Sequence, residues 1–530
     1  MSETLAHAGV IADLTDEQRL AAASPRTNLF IEAGPGTGKT TVSAQRFGVQ
    51  RFAAAHRHDT RAVVAVSFTR AATYTLRRRV QRLWGPAALI WPHRIVTLDS
   101  IMCDLLHDLM RQQLVIWPNT PMLWPDGNIK LDVRDSWNST SGTVWTTAFY
   151  ELYLSGRQVG LRQAFASSKA ARFPKATVAP LIEQGVCTHQ DVRDILTLAL
   201  QDPTSAARVR QRIGDTMRSL IVDEVFDAND LDIAIIENAI AAGISITLVG
   251  DPWQALYTFR GARPQAIPKL LKRTGVGTLK LTKSFRWQSA EQYNLATRLR
   301  SGQGLVLPTE QLNGQLDVDV VLALYWAELW KFGGGVLPLA FHAFKGGYEE
   351  AAATLLLNHV TRNILDLDAT YLNDALTALD MQDRDAPRKL EPELQNVVEI
   401  LRPGGKSAVK AAYLQLVKVI GSVSARELRA PHHNHTKRLA QLQERLIFSG
   451  RPVPGLTTHQ AKGGEWQVVG LCLRQDEQEA LAAGLDSTQD LHRKIYVACT
   501  RARERTVELM PQPRPASRAS KRRKDRASTT

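Results

Sequence analysis

Short apolar runs recur along the chain, and each ends where a polar or glycine-rich segment begins. One series lies at 29–31, 63–68, 95–98, 220–222, 244–249 and 279–281. A second series lies at 336–341, 453–457, 468–473 and 506–509. Runs of this length predict buried strands, and the helical stretches between several of them indicate strand–helix alternation. The pattern predicts an α/β fold with two doubly wound, mostly parallel sheets in two domains.

Each series is interrupted by a longer, mainly helical stretch, which predicts an insertion within each α/β domain. After Met510 the apolar periodicity ends, and the Pro-, Ser-, Lys- and Arg-rich remainder is expected to be a disordered basic tail. The predicted ranges are 1–100 plus 211–280 for the first domain, 101–210 for its insertion, 281–364 plus 451–510 for the second domain, 365–450 for its smaller insertion and 511–530 for the tail.

Composition narrows the classes of partner. The 530 residues are 44% hydrophobic and 22% charged, as in ordinary globular proteins. With no apolar run long enough to cross a bilayer and no signal-peptide pattern, we expect a cytoplasmic protein with no membrane partner. The 66 Lys and Arg residues exceed the 52 Asp and Glu residues, giving a net charge of +14. This excess favours a polyanion such as nucleic acid, although a basic surface without a special partner is the alternative.

The segment EAGPGTGKTT directly follows the first apolar run. Its glycines let the backbone curl and direct N–H groups at phosphate oxygens, and a helix beginning near Lys39 adds its positive end. Lys39 would reach the β- and γ-phosphates, and the Thr40 hydroxyl would hold Mg²⁺. The segment therefore predicts an ATP and Mg²⁺ site built from Ala33, Gly34, Pro35, Gly36, Thr37, Gly38, Lys39, Thr40 and Thr41, with Ala33 where the strict pattern has Gly.

Two further segments supply groups that ATP hydrolysis needs. Asp223 and Glu224 close the run at 220–222, and we expect Asp223 to organise Mg²⁺ and Glu224 to orient the attacking water. Gln254 follows the run at 244–249, so it is predicted at the ligand-binding edge of the sheet, where it can sense the γ-phosphate or position water. The adjacent Tyr257, Phe259 and Arg260 suit stacking against unpaired bases, with core packing as the alternative for each aromatic ring.

The order of these motifs resembles that of the UvrD/Rep-like branch of superfamily 1 helicases, from residues 14–19 to residues 500–503. The resemblance implies two RecA-like P-loop NTPase domains with ATP between them. It also implies ATP-driven 3′→5′ movement on single-stranded DNA and unwinding at junctions of single- and double-stranded DNA. The choice of DNA over RNA rests on this resemblance, because stacking surfaces accept either.

The resemblance also assigns roles to residues. Gln18 would contact adenine, Phe285 would stack on it, and Glu465 would hold the ribose. Arg286 would reach the γ-phosphate, with Arg501 as a second arginine finger. The nucleic-acid contacts would come from Phe68, Thr69, Arg70, Tyr257, Phe259, Arg260 and His459.

Some positions depart from the family pattern. Asp99 stands in a DNA-contacting motif, where its carboxylate is expected to repel phosphates. Phe226 replaces a usual Gln, so one polar link is missing, whereas Phe285 replaces Tyr and keeps the stacking face. The hydrolytic set is intact: Lys39, Asp223, Glu224, Gln254, Arg286 and Arg501.

The second insertion, at 365–450, is short for the resemblance, which predicts weak or partner-dependent unwinding. Three alternatives to a helicase therefore stay open. The chain could be a translocase that strips proteins from DNA, the motor subunit of a larger repair or defence complex, or a regulatory ATP-binding module. The intact hydrolytic set argues against the last, and repair, replication and defence are not distinguished.

Overall fold

Two parallel sheets organise the chain in the computed structural model, which describes residues 14–118, 131–134, 148–165, 175–311, 317–381, 383 and 385–510. The backbone divides into two compact units. Unit 1 is Met1–Arg286 with Ser487–Arg493, and unit 2 is Trp287–Asp486 with Lys494–Thr530. The basic tail predicted at 511–530 lies outside the described residues.

Unit 1 is built on a six-stranded, all-parallel sheet with strand order β10-β1-β9-β8-β2-β3. Its strands are β1 (Asn28–Ala33), β2 (Ala62–Ser67), β3 (Arg94–Thr97), β8 (Met217–Val222), β9 (Ser245–Gly250) and β10 (Gly277–Leu281). Its helices are α1 (Asp16–Ala23), α2 (Lys39–Phe52), α3 (Arg70–Trp84), α4 (Leu98–Arg111), α5 (Lys175–Glu183), α6 (His189–Ala199), α7 (Pro203–Thr216), α8 (Asp230–Ala241) and α9 (Ala266–Thr274). The six strands include all of the first predicted series.

The core of unit 1 follows from strands that are buried on both faces. Every residue of β2 and β8 is buried, as expected for central strands covered by helices on either side. The helices pack closely: a Cβ on Gly48 of α2 would lie 2.0 Å from the ring of Trp84 of α3, so only glycine fits there. Side-chain caps fix helix starts, including Thr15 for α1, Thr69 for α3 and Asn229 for α8.

The insertion of unit 1 contains strands in addition to the predicted helices. An antiparallel hairpin is formed by β5 (Ala148–Ser155) and β6 (Gln158–Phe165). A short parallel pair is formed by β4 (Asp132–Arg134) and β7 (Val186–Thr188). These strands stand apart from the six-stranded sheet.

Unit 2 is built on a second six-stranded, all-parallel sheet with strand order β11-β16-β15-β12-β14-β13. Its strands are β11 (Thr309–Gln311), β12 (Val320–Ala323), β13 (Val336–Pro338), β14 (Val453–Thr457), β15 (Trp466–Cys472) and β16 (Ala502–Met510). The helices after residue 286 are α10 (Ala290–Arg300), α11 (Trp326–Leu329), α12 (Tyr348–Leu365), α13 (Leu372–Ala378), α14 (Ala386–Lys389), α15 (Glu391–Leu401), α16 (Gly405–Gly421), α17 (His433–Leu446), α18 (Gln475–Ala483) and α19 (Asp490–Cys499). The first residues of α19 belong to unit 1. The four predicted strands are present, and β11 and β12 are additional.

The helical insertion of unit 2 shares its core with the second sheet domain. Leu337 of β13 and Phe341 pack into the same apolar cluster as α13, α15 and α16. Arg445 of α17 is fully buried, donates to the carbonyl oxygens of Val336 (3.1 Å) and Trp330 (3.0 Å), and lies over the Trp330 ring. The insertion and the sheet are therefore one packed body.

A buried histidine makes the stability of unit 1 depend on pH. His93 precedes β3, and its Nδ1 accepts a hydrogen bond from the N–H of Val63 in β2 (3.0 Å). Burial, reinforced by Arg51 and Arg218, lowers the pKa of His93 to about 4. The unfolded chain takes up this proton near pH 6.5, so stability falls as pH falls from there toward 4.

We expect the replacement His93→Gln to flatten this pH dependence, because an amide oxygen can accept the Val63 hydrogen bond without titrating. Relative to the variant, the wild type should lose on the order of 2–3 kcal/mol between pH 6.5 and 4. Urea midpoints across this range measure the effect. Parallel pH curves for the two proteins would contradict it.

Candidate nucleotide and nucleic-acid site

The site lies at one edge of the first sheet, where the carboxyl ends of all six parallel strands meet. Following the sheet order, the loop after β10 carries Phe285 and Arg286, and the glycine-rich loop follows β1. Next come Gln254 after β9 and Asp223 with Glu224 after β8. Phe68 follows β2, and Asp99 follows β3. The β10–β1–β9–β8 part of the edge thus carries the predicted nucleotide residues of this sheet, and predicted nucleic-acid residues follow β9 (Tyr257, Phe259 and Arg260) and β2 (Phe68).

The glycine-rich loop is shaped for close approach. Gly36 and Gly38 have φ of +72° and +84°, a region that residues with side chains rarely adopt. A Cβ on Gly36 would lie 2.5 Å from Cβ of Arg286 and 2.6 Å from Oγ of Ser284. The Lys39 ammonium donates to the carbonyl oxygens of Ala33 (3.1 Å) and Gly34 (3.4 Å). Because α2 begins at Lys39, its first N–H groups have no acceptor within the helix, which suits phosphate oxygens.

Lys39 is the centre of a cluster of charges. Its ammonium lies 3.9 Å from a carboxylate oxygen of Glu224, and its side chain is only 11% exposed. Burial holds the pKa of Lys39 below its ordinary value, whereas Glu224, Asp251 and Asp223 act in the opposite direction. Arg286 adds to the lowering, which places its charge within electrostatic range of Lys39. The structure thus groups four of the predicted catalytic residues.

The acidic pair is held by the end of β8. Asp223 is buried, and its backbone N–H donates to the carbonyl oxygen of Val66 in the neighbouring strand (2.9 Å). Its carboxylate accepts from the N–H of Glu224 (3.2 Å). Glu224 has φ +58° and ψ +43°, a left-handed conformation that is uncommon outside glycine and concentrates at functional sites.

Asp251 joins the site although the sequence interpretation assigned it no role. It is fully buried, and its carboxylate accepts from the side chain of Gln254 (2.8 Å) and from the N–H of Trp253 (3.3 Å). Gln254 is therefore fixed by Asp251, which also acts on Lys39. The signal was readable in principle, because Asp251 directly follows an apolar strand at the ligand-binding edge.

The remaining nucleotide residues of unit 1 contact the glycine-rich loop. Gln18 is buried, and its side-chain amide donates to the carbonyl oxygen of Thr37 (2.9 Å). The Ser284 hydroxyl donates to Pro35 (2.9 Å), and the N–H of Phe285 donates to Gly36 (2.9 Å). These contacts support the backbone of the glycine-rich loop from α1 and from the loop after β10.

Side chains around the loop complete its surroundings. The ring of Phe285 is 52% exposed and so is available for stacking. The Thr37 hydroxyl donates to the carbonyl oxygen of Gly34 (2.9 Å), which closes the loop on itself. The Thr41 hydroxyl accepts from Arg79 of α3 (2.6 Å).

A partly exposed aromatic cluster follows Gln254 in the chain. Tyr257 and Phe259 have ring centroids 6.0 Å apart, and the Arg260 guanidinium lies 5.1 Å and 5.5 Å from them. Phe259 is 63% exposed, so the core-packing alternative does not describe it. Phe68 behaves differently, because it is only partly exposed and packs against the main core of unit 1. Thr69 caps α3 through the N–H of Ala72 (3.2 Å), and Arg70 is exposed.

Two departures from the family pattern have structural explanations. The Asp99 carboxylate accepts a hydrogen bond from Arg193 of α6 (2.7 Å), which also pairs with the buried Asp232 (3.1 Å). The repulsion expected from Asp99 is therefore offset by a neighbouring cation. Phe226 is buried and packs edge-on against Phe30, so its position belongs to the core rather than to a polar link.

The other predicted residues belong to unit 2. Glu465 forms an ion pair with Arg503 (2.5 Å). Arg501 is buried and donates to the carbonyl oxygens of Val497 (3.0 Å) and Gly464 (3.5 Å). His459 lies in the turn that follows β14. The two segments containing Glu465 and Arg501 are thus neighbours within unit 2.

The donor set at the edge of the first sheet fits Mg²⁺. This hard cation prefers oxygen ligands and keeps several waters, so one carboxylate and one hydroxyl suffice beside phosphates. The predicted ligands Asp223 and Thr40 are a carboxylate and a hydroxyl, and neither is a soft ligand. Among the described residues, no cluster of three or more His, Cys, Asp or Glu side chains forms a separate metal site.

Within the part of the chain that the structure describes, no helix has the length and apolar character to cross a membrane.

The fold and the loop after β1 together define a P-loop nucleotide-binding protein. Residues 14–274 match the family model of the UvrD/REP helicase N-terminal domain. The chain is 24% identical over 360 residues to "DNA helicase II" of Escherichia coli (strain K12), covering 64% of this chain and 45% of that protein. It is 24% identical to "ATP-dependent DNA helicase UvrD2" of Mycobacterium bovis, covering 93% of this chain and 78% of that protein. The chain thus spans less than half the length of the E. coli relative.

A solved structure, "Structure of unliganded Pif1 from Bacteroides sp", aligns with 60% of this chain and 55% of its own, at 14% identity and a TM-score of 0.28. The fold assignment rests on the two sheets described above. By sequence, residues 14–274 resemble the N-terminal domain of UvrD/REP helicases, and the relatives named above are DNA helicases.

The pairing of Asp99 can be tested by Asp99→Asn. Because Arg193 already offsets this carboxylate, removal of its charge should change the affinity for an oligo(dT) strand by less than about threefold. Fluorescence anisotropy at 0.1 M salt measures the affinity, with Asp317→Asn in unit 2 as an exposed control. A tenfold gain confined to Asp99→Asn would show instead that this carboxylate repels phosphates.

Proposed function

We propose that this chain is an ATP-driven motor that moves 3′→5′ along single-stranded DNA and unwinds duplex DNA at junctions. The observation that carries the proposal is that one chain segment connects the predicted phosphate site with the predicted base-stacking site. Lys39, Asp223, Glu224 and the Asp251–Gln254 pair form one largely buried cluster of charged and polar groups. The segment that begins at Gln254 then leads to the partly exposed Tyr257–Phe259–Arg260 cluster.

ATP bound with Mg²⁺ supplies the phosphoanhydride bond whose cleavage drives movement. Lys39 and Arg286 would bind the phosphate charges, since the Lys39 ammonium contacts the loop carbonyls and the Arg286 backbone lies against Gly36. Thr40 and Asp223 would hold Mg²⁺, and Glu224 would orient the attacking water and accept its proton. Gln18, Phe285 and Glu465 would contact the nucleoside. Arg501 would supply the second arginine.

The segment 254–260 is the proposed coupling element, since its two ends face different ligands. Gln254 is fixed by Asp251, and Phe259 is exposed to solvent. Between them, Ala255 accepts from the buried Arg493 (2.8 Å), and the Thr258 hydroxyl donates to Asp490. A shift of Gln254 during hydrolysis would therefore be passed to the stacking residues by a segment held at several points.

A second candidate is a motor subunit that unwinds little without a partner protein in a repair, replication or defence complex. The compact second insertion favours it. It spans only the region predicted at 365–450, and Arg445 ties it into the core of unit 2. Both candidates require DNA-stimulated ATP hydrolysis, and only the first requires strand separation by the chain alone.

Glu224→Gln separates nucleotide binding from hydrolysis. The amide keeps the size of the side chain but cannot accept a proton, so ATP hydrolysis should fall about 100-fold or more while ATP still binds. Turnover assays and binding of a fluorescent ATP analogue measure the two properties. The matched control is Glu237→Gln on the surface of α8, which should behave as the wild type. Normal turnover in Glu224→Gln would refute the role.

Phe259→Ala tests the coupling to DNA. Loss of one stacking ring should raise the oligo(dT) concentration that half-stimulates ATP hydrolysis by about fivefold or more, because one stacked base contributes about 1–3 kcal/mol. Basal hydrolysis should change less than this response. Phe259→Trp should restore the response, since its ring also stacks. An unchanged response to DNA in Phe259→Ala would show that Phe259 is not a base-stacking contact.

A further inference from the structure

Helix α3 has an unusual charge pattern that no proposed role yet uses. Its 15 residues, RAATYTLRRRVQRLW, include five arginines and no acidic residue. Arginines one turn apart on a helix repel each other, and α3 has no carboxylate of its own to offset them. A helix of this composition is suited to a polyanion.

Two of the five arginines have structural roles. Arg77 donates to the carbonyl oxygen of Ile95 in β3 (2.8 Å), and Arg79 donates to the Thr41 hydroxyl in α2 (2.6 Å). These contacts anchor opposite flanks of α3, while Thr73, Leu76 and Val80 face the core. The helix is therefore held with Tyr74, Arg78 and Arg82 toward solvent; we call these three residues the α3 face.

The α3 face contains a stacking group as well as charges. The Tyr74 ring is 61% exposed, and the Arg78 guanidinium lies 5.8 Å from its centroid. The Tyr257–Phe259–Arg260 cluster has the same combination of exposed ring and arginine. No ion pair of Arg78 or Arg82 occurs among the described residues, so their charges are available to a ligand.

We infer that the α3 face is a further binding surface for single-stranded nucleic acid, continuing the path that begins at Phe68–Arg70. The inference rests on the proposed function. Continuity supports it, because α3 begins at Arg70 and its exposed face runs from there for about 18 Å to Arg82. An exposed ring favours a single strand over a duplex, because only unpaired bases offer their faces for stacking.

Two variants test the two kinds of contact in the full chain. Tyr74→Ala should weaken binding of fluorescein-labelled oligo(dT) about fivefold or more. Arg78→Gln should reduce the slope of log affinity against log salt concentration by about 0.7, because one phosphate contact is lost. Anisotropy titrations at several KCl concentrations measure both. Both positions are exposed, so thermal unfolding should match the wild type.

The chain offers a matched control pair in unit 2. Tyr325 is 50% exposed, and Arg474 lies 4.6 Å from its ring centroid. Arg474 also forms ion pairs with Asp476 and Glu477 (2.8 Å each). The Tyr325–Arg474 pair therefore resembles the Tyr74–Arg78 pair, but its positive charge is offset by neighbouring carboxylates. Tyr325→Ala and Arg474→Gln should therefore leave the affinity and the salt slope unchanged.

The outcomes separate this inference from the proposed function. If the wild type binds oligo(dT) and Phe259→Ala weakens it, but the α3 variants match the controls, the α3 face is not a binding surface. The same conclusion follows if Tyr74→Ala weakens a blunt duplex but not oligo(dT). If the wild type binds no oligo(dT) and its ATP hydrolysis ignores DNA, the proposed function fails together with this inference.

Discussion

The parallel alignment of six strands in the first sheet is the constraint on which the candidate site depends. Parallel strands bring every carboxyl end to one edge, so loops separated by up to about 250 residues become neighbours. The strand order then sorts these loops. The β10–β1–β9–β8 half gathers Arg286, Lys39, Gln254 and Glu224, while β2 and β3 add Phe68 and Asp99. The residues predicted to bind nucleotide and nucleic acid thereby lie along the same edge of one sheet.

The candidate site also depends on the electrostatic balance among its buried charges. Lys39, Asp223 and Asp251 are largely removed from water, and none of these charges would be tolerated alone. Burial lowers the pKa of Lys39, while the nearby acids oppose that shift. Such a cluster contributes little to stability by itself, and closely grouped charges with a shifted pKa are typical of functional sites. The left-handed Glu224 fits this interpretation, since backbone strain concentrates at functional positions.

Much of this arrangement was predictable from local pattern. Apolar runs identified ten of the twelve sheet strands, because a strand buried on both faces is a continuous apolar run. Strand β12 was missed although 320–324 is such a run, whereas the three-residue β11 and the β5–β6 hairpin have weaker signals. Contacts between distant residues were not predictable: Arg193 reaches Asp99 across 94 positions, and Gln18 reaches Thr37 only after the fold is formed. The burial of Asp251 likewise depends on its neighbours in space.

ATP hydrolysis by the full chain, measured with and without oligo(dT) and with Lys39→Ala as the blank, tests the central claim most directly. The account predicts hydrolysis that rises about tenfold or more with single-stranded DNA and is abolished in Lys39→Ala, because one connected segment joins the phosphate site to the stacking cluster. ATP hydrolysis that depends on Lys39 but does not respond to DNA would contradict the proposal that the chain is an ATP-driven motor on DNA.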